Sequence, residues 1–158
     1  MSASLSAADF ACIVDASVLV KLVLPEDGSA AATALMHPTE QGDPPRRVVP
    51  DLIYHECANI LWKRVRRGEF SAAVAETRLG QLLSLPLSVW AARDLVLRAL
   101  ALASSLGLSA YDAAYVALAE LLGVPLITAD TALAQKARAG GHDVRLLGEI
   151  DSAGSNPS

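Results

Sequence analysis

The chain has 158 residues, enough for one domain with a sizeable core and too few for two at about 100 to 200 residues each. Hydrophobic residues make up 53% and charged residues 19%, which excludes an intrinsically disordered chain, and no apolar run is long enough to span a membrane. With 13 basic against 17 acidic residues, the net charge of −4 excludes the basic overall surface of a general nucleic-acid binder.

Met1 to Phe10 carries Asp9 and no basic stretch, so no secretory signal is expected. The apolar run Ala11 to Val14 predicts a strand, and Arg47 to Val49 a second. Asp51, after Pro50, opens a helix that ends at Arg67 before Gly68, and Ser71 opens another running to about Ser84. Beyond Pro86, Ala91 to Ser105 reads as a helix with Leu95, Val96, Ala99, Leu102 and Ala103 on its apolar face, closed by Gly107. Ser109 opens the next, which stops at Leu122 before Gly123. Pro125 to Thr128 is a strand, Asp130 to Ala139 a helix, and Val144 to Leu147 a final strand. Residues 1–150 form one domain, and Asp151 to Ser158 reads as a disordered tail. Strands alternating with helices imply an α/β fold with a parallel sheet covered on both faces. Cys12 and Cys57 sit in apolar stretches, as reduced core thiols of a cytoplasmic protein would.

In open parallel sheets, ligands bind beyond the carboxyl ends of the strands, and here those ends carry acids. Asp15 follows the first strand with Ser17 two residues on; Thr128 and Asp130 follow Leu126 and Ile127 in the same way. Glu56 lies in the second turn of its helix, and Asp112 in the first turn of the helix opened by Ser109. Each has a plainer explanation. Ser109 to Asp112 has capping-box spacing, Asp130 stands where an N-cap belongs, and Glu56 alone would be a solvated helix residue. Asp15 resists such dismissal, because an unpaired carboxylate at the end of an apolar strand is costly to bury. Acids gathered at one sheet edge repel and raise one another's pKa, and a hard divalent cation relieves them. Mg²⁺, with Mn²⁺ as a substitute, is the expected cofactor. It suits hydrolysis of phosphodiesters by a metal-activated water, with Ser17 and Thr128 orienting acids or water from behind.

The run Ile13-Val14-Asp15-Ala16-Ser17, the segment Tyr54 to Leu61 with Glu56, the stretch Ser109 to Tyr115 with Asp112, and Leu126-Ile127-Thr128-Ala129-Asp130 resemble PIN-domain ribonucleases. More narrowly, they are similar to VapC toxins of type II toxin-antitoxin pairs, over about Ala11 to Leu147. A longer leader and the Pro44-Pro45-Arg46-Arg47 lead-in to the second strand depart from that pattern without touching a motif residue. The resemblance implies a three-layer α/β/α sandwich with a mostly parallel central sheet and Mg²⁺-dependent endonucleolytic cleavage of RNA. It implies Asp15 and Asp112 as main metal ligands, with Glu56 and Asp130 completing the acidic catalytic pocket. A VapB-like antitoxin and a homodimer follow from it as expected partners.

Lys63, Arg66 and Arg67 end the helix of Glu56 and are the expected contacts to substrate phosphate; Lys63, seven residues on, shares the face of Glu56. As last-turn cations they equally complement the helix dipole, and Arg64 is expected to face solvent. Apolar residues along Val18 to Leu24 and Ala30 to Met36 exceed what one small core needs and suggest a partner surface, with core packing as the alternative. His55-Glu56 begins like a zinc-protease helix but lacks the second histidine, and phosphate-binding glycine loops are absent. Ser17 stands where a haloacid-type phosphatase needs its second aspartate. The surviving alternative is a catalytically silent PIN-like or receiver-like binding module whose acids only bind metal or cap helices.

Overall fold

The predicted apolar runs become strands of one parallel sheet: β1 (Cys12–Val14), β2 (Arg47–Pro50), β4 (Leu126–Thr128) and β5 (Val144–Leu146), joined by an edge strand β3 (Ser88–Trp90). The computed structural model describes residues 11–37 and 46–153. The readings made on Met1 to Phe10, on Pro44-Pro45 and on 154–158 of the tail lie outside the described residues.

The strand order is β3-β2-β1-β4-β5, every pairing parallel, with helices on both sides of the sheet. This is the three-layer α/β/α arrangement the sequence implied. From β1 the chain builds outward to β2 and β3, then returns to β4 on the other side of β1 and continues to β5. The direction therefore reverses between β1 and β4, and their adjacent carboxyl ends form the crevice where such sheets bind ligands.

The helices between strands are α1 (Ala16–Leu19), α2 (Ser29–Met36), α3 (Leu52–Arg66), α4 (Ala72–Leu83), α5 (Val96–Leu106), α6 (Ala110–Leu122), α7 (Thr131–Ala139) and α8 (Leu147–Ala153). In α6, Ala113 to Ala119 are all buried, because α6 lies between α5 and the strands β1, β2 and β4. Alanine at four of those seven positions lets the backbones approach closely. Gly107 and Gly123 end α5 and α6 in the left-handed conformation, at φ 70° and 66°.

Four expectations need correction. Ala91 to Ser105 is not one helix: Ala92–Leu95 is a 3₁₀ turn that leads into α5, and Val96, assigned to the apolar face, is exposed. Strand β3 went unread because it is three residues long, lies at the edge and has all three residues exposed, so no alternation or buried run marks it. The last element is not a strand, since α8 follows β5. Finally, Val18, Leu19, Val20, Leu24, Ala31, Ala32 and Leu35 are buried, so core packing accounts for most of the apolar excess there. The rest lines a groove of about 620 Å³ that includes Leu22, Val23, Pro25, Ala30 and Ala34. The most exposed large apolar side chains lie on α5 and α6, at Leu97, Leu100 and Tyr111.

β2 opens on Arg47, which is only 1% exposed. Its Nε and Nη2 donate to the Leu35 carbonyl at 2.9 and 2.8 Å, satisfying an acceptor in the last turn of α2 that the helix leaves unpaired.

Candidate active site

Asp15 follows β1 directly, at the start of α1, and is 4% exposed. Its side chain caps nothing. Instead Oδ2 accepts from the Ser17 hydroxyl at 2.6 Å and from the Thr128 hydroxyl at 2.8 Å. Each hydroxyl in turn accepts a backbone N–H from the turn after β4: Ala129 donates to Ser17 Oγ and Asp130 donates to Thr128 Oγ1, both at 3.0 Å. An oxygen that accepts an N–H is a better donor, so the network strengthens both bonds to the carboxylate. It also ties the ends of β1 and β4 together. Burial raises the pKa of Asp15; the two hydroxyls oppose that rise and the charge of Asp112 adds to it.

Glu56 is half-buried in the second turn of α3. Burial, the charge of Asp15 and the charge of Asp112 push its pKa up to about 7. The Tyr115 hydroxyl lies near enough to pull it back down, yet Glu56 Oε1 and Tyr115 OH are both buried and neither completes a hydrogen bond. The same negative field, added to burial, drives the Cys57 thiol up to about 12, which leaves it an inert core residue.

Asp112 lies in the first turn of α6, where Ser109 caps the helix by accepting its amide at 3.1 Å. Of the capping box read from the sequence the Ser109 half is present, and the Asp112 carboxylate belongs to the acidic group. Its pKa is raised by burial and by Asp130, and lowered by Ser109 and Lys136. Asp130 is exposed and is also a true N-cap, with Oδ1 accepting from the Leu133 amide at 3.1 Å.

Asp15, Glu56 and Asp112 therefore sit within one another's fields, and Asp130 joins through Asp112. Among the described residues, no three His, Cys, Asp or Glu side chains close on a point tightly enough to hold an ion by themselves. A Mg²⁺ site does not require three, since the ion keeps several waters and takes one or two carboxylates from protein. A buried, unpartnered Glu56 Oε1 beside two further acids with raised pKa is a donor set that such an ion fits.

Of the predicted substrate contacts, Lys63 and Arg67 are exposed at the end of α3, while Arg66 stacks over Trp62 at 5.1 Å. Arg64 does not simply face solvent: it pairs with Glu26 at 2.7 Å and Glu69 at 2.8 Å, fixing the end of α3 to the loop before α2. Two residues near the acids went unassigned. Tyr115 follows Asp112 by three residues, a spacing that places both on one helix face. Lys136 lies two turns into the helix that Asp130 caps, and only the tertiary fold brings it to Asp112.

Residues 12–139 match the PIN domain family model. Ribonuclease VapC3 of Pyrobaculum aerophilum is 37% identical over 126 residues, covering 78% of this chain and 92% of its own. Among solved structures, PAE2754 from Pyrobaculum aerophilum superimposes with a TM-score of 0.62 at 25% identity, over 90% of this chain and 98% of its own. The Mycobacterium tuberculosis toxin VapC20, which cleaves the Sarcin-Ricin loop, shares the fold with a TM-score of 0.61 at 18% identity, over 83% and 95%. A toxin-antitoxin complex from Klebsiella pneumoniae does so with a TM-score of 0.58 at 21% identity, over 86% and 97%. The family match, the VapC relative and the acids placed at the β1/β4 crevice agree: the chain belongs to the PIN-domain family, with VapC ribonucleases among its relatives.

Proposed function

We propose that this protein is a Mg²⁺-dependent endoribonuclease, the toxin of a type II toxin-antitoxin pair, acting in the cytoplasm. The observation that carries the reading is the group of Asp15, Glu56 and Asp112 at the carboxyl end of the sheet, with Glu56 Oε1 buried and unpartnered. Its 37% identity to a VapC ribonuclease gives that group its chemistry.

Asp15 and Asp112 would hold the ion, with Mn²⁺ as a substitute, and Glu56 and Asp130 would complete the pocket. A divalent ion supplies there a Lewis acid for a phosphate oxygen and a lowered pKa for water. The chain's own residues do the rest. Ser17 and Thr128 fix Asp15 by bonding one oxygen, which leaves Oδ1 clear of both hydroxyls. Glu56, poised near neutrality, takes or returns a proton at Oε1. Lys63, Arg66 and Arg67 draw the polyanion toward an otherwise repulsive acidic rim.

The groove beside α2, with apolar Leu22, Val23, Ala30 and Ala34, supports an antitoxin helix as its occupant. The exposed Leu97 and Leu100 of α5 support a homodimer face. Two buried free cysteines suit a reducing compartment.

The test is incubation of the purified protein with a mixed RNA pool in Mg²⁺, beside an EDTA arm and the variants Asp15→Asn and Asp112→Asn. Cleavage confined to the wild type with Mg²⁺ is expected. Cleavage that persists in EDTA or in both variants would refute the metal site, and no cleavage in any arm would favour a silent binding module.

A further inference from the structure

We infer that Lys136 is a substrate-positioning residue that grips an RNA phosphate on the Asp112 and Asp130 side of the site. The inference rests on the ribonuclease reading and adds a contact to it.

Several basic side chains are committed elsewhere. Arg64, Arg98, Arg138 and Arg145 pair with glutamates or aspartates, and Lys21 pairs with Glu26. Lys136 lies close enough to Asp112 for its charge to oppose the rise in that carboxyl's pKa. It is exposed and, among the described residues, has no carboxylate partner within 4 Å. Its one hydrogen bond, Nζ to the Gly107 carbonyl at 3.0 Å, ties α7 to the turn that leads into α6 and so to Asp112. An ammonium has three donors, and a carbonyl uses one. The anchored head keeps two N–H groups for an incoming oxyanion, and the carbonyl holds it in place so that little side-chain entropy remains to be lost on binding. A phosphate approaching an acidic pocket needs positive charge on both flanks. Lys63 and Arg67 supply it along α3, and Lys136 supplies it at α7.

The competing role is purely structural, a clamp on the Gly107 turn. The two are separated by Lys136→Met, which keeps the aliphatic stem and removes the charge, and Lys136→Arg, which keeps the charge. Binding of a fluorescein-labelled single-stranded RNA of mixed sequence is measured by anisotropy across a salt series in Mg²⁺. An Asp15→Asn background keeps the RNA intact. Lys136→Met should weaken binding about five- to tenfold at low salt, similarly for unrelated sequences, and reduce the slope of log Kd against log salt by about 0.7. In the cleaving protein KM should rise while kcat stays within about twofold, with Lys136→Arg restoring most of the loss. Unchanged binding and salt slope would overturn the inference, as would a lowered melting temperature with that slope intact. Were the ribonuclease reading itself wrong, the wild type would neither bind nor cleave the RNA, which distinguishes that failure from this one.

Discussion

Replacing Glu56 by glutamine tests whether the acids oppose one another as the geometry requires. In the folded protein the carboxyl has a pKa of about 7, set by burial and by Asp15 and Asp112. In the unfolded chain it titrates near 4.3. Below that value Glu56 is protonated in both states and costs nothing. As pH rises toward 7, the unfolded chain gives up its proton and the folded one resists, so stability falls; above 7 the loss is complete. The full difference between the two pKa values corresponds to about 3.7 kcal/mol, and screening of a half-buried group reduces it to about 1–2 kcal/mol. Glutamine removes the charge while keeping the shape, and its amide can donate to Asp15 or to the Tyr115 oxygen. In EDTA, Glu56→Gln should therefore melt about 3–6 °C above the wild type at pH 8 and nearly level with it at pH 4. Thermal unfolding followed by circular dichroism from pH 4 to 8 measures this. A variant less stable than the wild type at pH 8, or a difference that does not change with pH, would refute the reasoning.

Three further outcomes follow from the same geometry. Mg²⁺ should raise the melting temperature of the wild type but not of Asp15→Asn or Asp112→Asn; at about a hundredfold excess over Kd the gain is about 2.7 kcal/mol, read by calorimetry against Mg²⁺ concentration. Thr128→Val keeps the shape but leaves the Asp130 amide without its acceptor and Asp15 with one donor fewer. It should cost about 1–3 kcal/mol by urea denaturation and lower kcat more than it raises KM. Arg64→Met breaks two partly exposed ion pairs and should cost under about 1 kcal/mol at low salt and less in high salt, with RNA cleavage unchanged in kcat.

What was legible in the sequence depended on range. Strands β1, β2 and β4 could be read because a buried parallel strand carries apolar residues on both faces, and β5, with only Val144 buried, from its apolar ends after the Gly140-Gly141 pair. The caps at Ser109 and Asp130 were legible because a cap is decided within four residues. Edge strand β3 was not, since half-exposed pairing leaves Ser88-Val89-Trp90 with no local signature. Arg64 was misread for a related reason: its position on α3 points to solvent, and only the fold brings Glu26 of a distant loop to meet it. Lys136 and Gly107 are likewise joined by tertiary structure alone.

The two readings first weighed for Asp112 and Asp130, helix cap or site acid, turn out not to compete. A cap at Asp130 consumes one carboxylate oxygen, and a cap at Ser109 consumes the Asp112 amide but neither of its carboxylate oxygens. Capping therefore orients both acids at helix N-termini, where amide dipoles also partly offset their charge. Asp15 stands at the start of the short helix α1 without a side-chain cap, and Glu56 lies in the second turn of α3, past its N-terminus. Asp15 is compensated by hydroxyls, which are neutral, and Glu56 Oε1 completes no hydrogen bond, with the Tyr115 hydroxyl nearby. Glu56 feels the charges of both Asp15 and Asp112, and Asp15 that of Asp112. The net charge of −4 describes the chain as a whole; a cation would gain most where the sheet gathers Asp15, Glu56 and Asp112.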